Sequence, residues 1–214
     1  MALNKDIYDA ILNGNAKKAH AATEAALAAG ADPMALIQDS MVPAMDEVGK
    51  LFECEEYFVP ELLLAGRAMK GAMELLKPLM GASGQKMAVR VIIGTVKGDL
   101  HDIGKNIVAS MLEGSGFEVI DLGTDVAPEK FVNAVRESEP QVVCLSALLT
   151  VTMPAMKTTI DALESAGVRT RVKVLVGGAP VTGQYAREIG ADGYSDNASG
   201  AVSLVKELLG QCAA

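Results

Sequence analysis

Residues 88–114 read AVRVIIGTVKGDLHDIGKNIVASMLEG. The apolar run Ala88–Ile93 has the length and branching of a buried strand, and residues 104–114 carry helical spacing. Between them lies a polar, glycine-punctuated loop. Working outward, strand-like runs recur at Phe117–Leu122, Val142–Leu145, Val172–Val176 and, weakly, Gly193–Ser195. Helical stretches near 128–138, 153–166, 183–189 and 197–209 separate or follow them. Short apolar strands alternating with helices predict a parallel, doubly wound sheet covered on both faces. Ligands of such sheets bind beyond the carboxyl ends of the strands. The loops that matter are therefore 94–104, 121–127, 146–153 and 177–183.

The chain before this point has a different period. Asp32-Pro33 is a helix start, a capping side chain followed by proline at the first helical position. Leu36, Ile37, Met41, Met45 and Val48 then follow at helical spacing, with Pro43 expected to bend or interrupt the helix. A further helix begins at Pro60-Glu61, its face formed by Leu62, Gly66, Met69, Met73 and Leu76. Weaker helices near 4–12 and 15–29 precede these, so a small four-helix bundle is expected. The stretch KPLMGASGQK, residues 77–86, reads as a linker, and 78–86 as a hinge. The expected division is a helical bundle over 1–82 and a doubly wound, Rossmann-like (flavodoxin-like) domain over 87–214.

Half of the 214 residues are apolar, but there is no Trp, so the cores must be built from aliphatic residues and from eleven Met. Nineteen basic and 27 acidic side chains leave a net charge of −8, with no basic stripe for nucleic acid. The opening residues MALNKDIYDAIL lack the features of a signal peptide, and no apolar run is long enough to span a bilayer. Cys54, Cys144 and Cys212 are too scattered for a disulfide framework or a CxxC metal site. These features fit a protein of the reducing cytoplasm with neither membrane nor nucleic-acid partners.

The loop GTVKGDLHDIGKN, residues 94–106, is where chemistry concentrates. It is not a phosphate loop. Five residues rather than four separate Gly98 from Gly104, and Asn106 stands where a magnesium-binding Ser or Thr would be. His101-Asp102 suggests a metal, yet the only other histidine is His20. A site needing three or four protein nitrogen or sulfur ligands is hard to assemble from this sequence. A metal that arrives inside a macrocycle needs only one axial imidazole. Asp99, two residues before His101, is placed to accept a hydrogen bond from the other ring nitrogen, fixing the tautomer.

These residues carry a resemblance. Asp99-x-His101-x-x-Gly104, then Ser146-x-Leu148, then Gly177-Gly178, each at the end of a predicted strand, resemble the signature of the methyltransferase-associated corrinoid proteins. They are also similar to the cobalamin-binding module of cobalamin-dependent methionine synthase. The upstream segment GKLFECEEYFVPELLLAGRAMKGA, residues 49–72, resembles that family's methyl-cap bundle.

The resemblance implies that cobalamin binds with its own lower base displaced and His101 on the cobalt, the base-off/His-on state. It implies cofactor contacts at Asp99, Asp102, Ile103, Gly104, Leu148 and Thr150, and a relay from His101 through Asp99 to Thr152. The displaced nucleotide tail would enter a slot lined by Ser146, Gly177 and Gly178, although two glycines after a strand also make an ordinary turn. Phe52 and Val59 would cover the methyl-bearing face; equally, they could be core residues. Thr150 and Thr152 could instead, or in addition, cap the helix beginning near Met153.

The implied function is a methyl-carrier subunit rather than an enzyme acting alone. One methyltransferase would load the cobalt from a small methylated compound. A second would pass the methyl to tetrahydrofolate or a thiol, and a reductive activase would restore oxidised cobalt. Two other classes share the histidine loop, the cobalamin subunit of an adenosylcobalamin mutase and a cobalamin-sensing module. The cap-like bundle argues against the first, and the acidic chain, lacking a basic DNA-binding segment, against the second.

Overall fold

A computed structural model describes residues 3–80 and 89–210. The chain forms two compact units. One comprises Met1–Ala88 with Ser110–Phe117, the other Val89–Ala109 with Glu118–Ala214. The hinge expected over 78–86 falls largely on residues 81–88, outside the described residues.

The first unit is helical: α1 (Lys5–Leu12), α2 (Ala16–Ala28), α3 (Pro33–Leu36), α4 (Val42–Glu53) and α5 (Val59–Met80). Side chains of Asn4, Asn15 and Asp32 cap the first three, each accepting a hydrogen bond from a backbone N–H three residues on. Between α3 and α4 the chain widens into a π-helical turn, Ile37–Met41, closed by the Val42 N–H donating to Ile37 O. This turn resolves the expected conflict at Pro43. A proline ring clashes with the carbonyl four residues back in a regular helix, and a wider turn just before it relieves the clash without ending the helix. Helices α3 and α4 thus act as one interrupted rod, the third of four. Helix α5 continues to Met80 with Pro78 inside it. It therefore takes in Lys77–Met80, which reads as linker in the sequence. Leu75, Leu76, Leu79 and Met80 are strong helix formers, and the proline falls in the last turn, where little helix follows it.

Small residues let these helices approach closely. Ala65, Ala68 and Ala72 of α5 and Ala19 of α2 are fully buried. A side chain at Gly114 would come within 2.8 Å of the Met45 Cε.

The second unit contains β1 (Arg90–Thr95), α6 (Ile103–Gly114, whose end clusters with the bundle), β2 (Glu118–Asp121), α7 (Pro128–Ser138) and β3 (Val142–Ser146). It continues with α8 (Pro154–Ser165), β4 (Lys173–Gly177), α9 (Gly183–Glu188), β5 (Gly193–Tyr194) and α10 (Ala198–Leu208). The sheet is wholly parallel, ordered β2-β1-β3-β4-β5. Ile92, Val143 and Val174 pack with Phe131, Val135, Met156 and Ile160 of α7 and α8. Their strand neighbours Val91, Ile93, Cys144 and Leu175 are buried too, and side chains alternate across a strand, so both faces are covered. Gly94 lacks a side chain because a Cβ there would lie 2.8 Å from the Phe131 ring.

This strand order has one topological switch. Chain connections leave β1 toward β2 on one side, and β3 flanks β1 on the other, so the carboxyl ends of β1 and β3 are the switch point beyond which ligands of such sheets bind. Thr95, Ser146 and Gly177 are paired in register along that edge.

Burial pushes the Cys144 thiol up to about 12, whereas Cys54 is exposed. A thiolate-directed alkylating agent at pH 8 should therefore modify Cys54 in the native protein and leave Cys144 unlabelled until denaturant is added. Peptide mass mapping checks this; equal labelling of the two in the native state would contradict the described core.

Candidate functional site

The site begins where β1 ends. Val96–Asp99 form a tight turn, closed by the Asp99 N–H donating to Val96 O at 3.1 Å, with Gly98 at φ +85°. A positive φ at the third position marks a type II turn and favours glycine there. The turn drives Asp99 back under the sheet edge, where its side chain is fully buried.

A buried carboxylate must be satisfied, and Asp99 is. Its Oδ1 accepts from the His101 backbone N–H at 3.0 Å and faces the His101 Nδ1 at 2.7 Å. Its Oδ2 accepts from the Thr152 hydroxyl at 2.6 Å and from the N–H groups of Leu148 at 2.8 Å and Leu149 at 3.3 Å. Burial alone pushes this carboxyl up. The bonds from Thr152, the His101 and Leu148 N–H groups and the His101 ring outweigh burial and hold it well below the usual carboxylate range. Asp99 is therefore ionised at neutral pH. An ionised Oδ1 can only accept, so the proton between it and His101 sits on Nδ1 and the Nε2 lone pair points away.

His101 is the opposite of its partner, with half of its side-chain surface exposed. Thr95, buried at the end of β1, holds the loop by donating its hydroxyl to the His101 carbonyl at 2.9 Å. Large apolar side chains stand in solvent on the same loops. Leu100 is 73%, Ile103 78% and Val151 80% exposed, with Leu148 and Leu149 above 40%. Exposed aliphatic groups so placed mark a surface meant to be covered.

Thr152 is buried, and its single proton lies between Asp99 Oδ2 and Leu149 O, the latter at 2.8 Å. It does not cap α8, which begins at Pro154 without a side-chain cap. Thr150 is exposed in the same loop. Asp102 and Gly104 are exposed, and the Asp102 carboxylate accepts from Asn106 Nδ2 at 3.1 Å. Ser146 and Gly177 are half-buried on the sheet edge. Gly178 has φ +131°, and a Cβ there would lie 1.9 Å from Ala147 O. What Gly178 makes room for, in the described chain, is the backbone after β3.

Phe52 and Val59 belong to the helical unit. Phe52 is half-buried near the end of α4, and Val59, at the start of α5, is 38% exposed, so it is not a core residue.

Three residues around the loop escaped the sequence reading. Thr95 reads as one more strand residue. Lys105 falls on a helix whose lysine would ordinarily be solvated, yet it is buried and paired with Asp121 and Asn106. Asp125 adopts φ +51° and donates its N–H to Asp99 O at 2.9 Å. The local signal for Asp125 was only its place in one of the carboxyl-end loops.

Among the described residues no group of three or more His, Cys, Asp or Glu side chains could hold an ion. One exposed imidazole with a free Nε2, a buried carboxylate behind it and apolar side chains around it fit a metal that carries its own planar ligand. No helix among the described residues is long and apolar enough to cross a membrane.

Comparison with known proteins agrees with this chemistry. A family model described as B12 binding domain matches residues 89–203, and a second of the same description matches residues 3–77. The chain is 50% identical over 188 residues to trimethylamine corrinoid protein 2 of Methanosarcina mazei, covering 87% of this chain and 86% of that one. It is 46% identical over 180 residues to dimethylamine corrinoid protein 1 of Methanosarcina acetivorans, covering 83% and 84%. The crystal structure of the methanol:cobalamin methyltransferase complex MtaBC from Methanosarcina barkeri superposes with a TM-score of 0.84 at 30% identity, covering 98% of this chain and 80% of that one.

Replacing Thr152 with Val removes a donor from a buried charge, and urea denaturation at pH 7 should show a loss of about 1.5–3 kcal/mol. Asp99 is depressed in the folded state, so the stability it contributes is present above the ordinary aspartate range and lost as pH falls. In the valine variant that depression is smaller. The gap between the two proteins should therefore be full at neutral pH and shrink below about pH 4. A gap independent of pH would mean that Thr152 acts by packing alone.

Proposed function

The chain belongs to the corrinoid-binding proteins defined by the B12 binding domain, and from that membership we propose that it is a methyl carrier whose His101 is the protein ligand to cobalt. The observation that carries the reading is the exposed His101 imidazole, backed at 2.7 Å by a buried, ionised Asp99. Bound there, a corrinoid supplies a cobalt centre that accepts a methyl group from a donor and releases it to an acceptor.

The chain's own residues do the rest. Asp99 keeps the Nδ1 proton in place, so Nε2 is presented as a lone pair in the base-off/His-on arrangement. Its negative charge enriches the ring and strengthens Nε2 as a donor. Thr152 steadies Asp99, and the bond lets a small proton shift along Thr152–Asp99–His101 accompany changes in how strongly His101 binds. Leu100, Ile103, Leu148, Thr150 and Val151 form a surface over which a flat, largely apolar ring excludes water, with Asp102 and Gly104 at its edge. Ser146, Gly177 and Gly178, at the carboxyl end of β3 and β4, are proposed to admit the displaced nucleotide tail. Phe52 and Val59 are proposed to meet the methyl-bearing face, Val59 being available because it is exposed.

The relatives' names support a methylated amine as donor, with a cognate methyltransferase loading the protein. A methyltransferase partner is also supported by the MtaBC complex. We assign to this scheme a second methyltransferase, acting on tetrahydrofolate or a thiol, and a reductive activase. The setting proposed is the reducing cytoplasm, where Cys54 and Cys144 stay free thiols.

Reconstitution with methylcobalamin tests the reading. The wild type should retain the corrinoid with a visible spectrum of the lower base displaced and imidazole bound, and His101→Ala should lose the imidazole signature. Identical spectra for the two, or no corrinoid retained by the wild type, would overturn it.

A further inference from the structure

Asp99 must point one way for His101 to be held, and the turn that carries it has two loose ends. In a type II turn the N–H of the third residue, here Gly98, has no partner within the turn, and the carbonyl of the fourth, Asp99, faces outward. Both are taken by a single residue. Asp125 Oδ1 accepts from the Gly98 N–H at 2.8 Å, and the Asp125 N–H donates to Asp99 O at 2.9 Å. We propose that Asp125 is a positioning residue, a two-point clamp that fixes the turn and through it the Asp99–His101 pair.

The fold holds the clamp itself in place. Val96 and Val126 form a parallel bridge, with Val126 N–H donating to Thr95 O at 3.0 Å and Thr95 N–H to Gly123 O at 3.0 Å. The loop after β2 is thus laid alongside the end of β1, and Asp125 stands immediately before the bridged residue. It adopts φ +51°, a region that Asn and Asp tolerate better than other side chains but that still costs energy. A strained backbone retained beside a functional loop is a sign that its geometry is needed. Glycine would remove that strain, but glycine could not receive the Gly98 N–H. The Lys97 ammonium, 3.0 Å from the same carboxylate, is an exposed partner and contributes little to the clamp.

The inference rests on the proposed axial role of His101 for its effect on the cofactor, but not for the clamp itself, and the variants separate these. Asp125→Asn keeps both the acceptor and the left-handed tolerance. Asp125→Gly keeps the backbone and loses the acceptor. In apo protein, amide exchange at Gly98 should be near wild type in the Asn variant and about tenfold faster in the Gly variant, the worth of one hydrogen bond. In methylcobalamin-loaded protein the imidazole-bound fraction of the spectrum should fall in the Gly variant and be retained in the Asn variant. Lys97→Ala should match wild type in both measurements.

Unchanged Gly98 exchange and an unchanged spectrum in Asp125→Gly would overturn the clamp. Faster exchange in a protein whose wild type shows no imidazole signature would keep the clamp and sink the axial reading instead. Should the Gly variant not fold, a trans-hydrogen-bond NMR coupling from the Gly98 amide nitrogen to the Asp125 carboxyl carbon in wild-type protein decides the matter, and its absence overturns the proposal.

Discussion

A single carboxylate taken out of water organises this site. Asp99 is fully buried, and a lone buried charge is among the most expensive things a fold can contain. It is tolerated because backbone N–H groups from two loops, a threonine hydroxyl and an imidazole converge on its two oxygens. Each partner is fixed by something else. The turn Val96–Asp99 aims the side chain, β3 delivers the Leu148 and Leu149 amides, and the residues before α8 deliver Thr152. Were any of these displaced, the charge would lose a donor with no water to replace it.

That convergence explains why the parallel sheet suits the task. In an order of β2-β1-β3-β4-β5 the loops after β1 and β3 come from adjacent strands that end on the same edge. Residues 99 and 148 are far apart in sequence but only a hydrogen bond apart in space. The same edge lines up Thr95, Ser146 and Gly177 in register. An antiparallel arrangement would send alternate loops to opposite ends and could not assemble the cluster from these connections.

What the sequence reveals and what it hides divide along a physical line. The bundle and the sheet follow from period. Four-and-three spacing in α5 and short β-branched runs in β1, β3 and β4 leave little choice. The Asp99–His101–Gly104 spacing is local, so it is visible in one dimension, and Thr152 is reached by resemblance. Asp125 acts through bonds to a loop some distance away in sequence, and Thr95 through a hydroxyl bond to a main-chain carbonyl of its own loop, which carries no residue signature, so no spacing announces either. Lys105 is a case of the fold overriding expectation, since a helical lysine reads as solvated until Asp121 appears beside it. Gly178 shows the converse. Its presence was legible, but the reason that the structure supplies is the backbone of Ala147 against it. Pro43 predicted a bend or an interruption, and the chain supplies the interruption as a wider turn just before the proline.

The character of the donors around Asp99 carries one more consequence. Backbone amides and a hydroxyl stabilise an anion without cancelling its charge, whereas an arginine or lysine would neutralise it. The nearby cations are committed elsewhere, Lys97 to Asp125 and Lys105 to Asp121. Among the described residues, the one titratable side chain that Asp99 pairs with is His101. No cation among the described residues pairs with Asp99, so its negative charge stays uncancelled beside Nδ1, and from a buried carboxylate it acts more strongly than it would in water. A carboxylate paired with a lysine would orient the ring equally well but enrich it less. The arrangement is thus suited to making Nε2 a strong donor, not merely to holding the imidazole still.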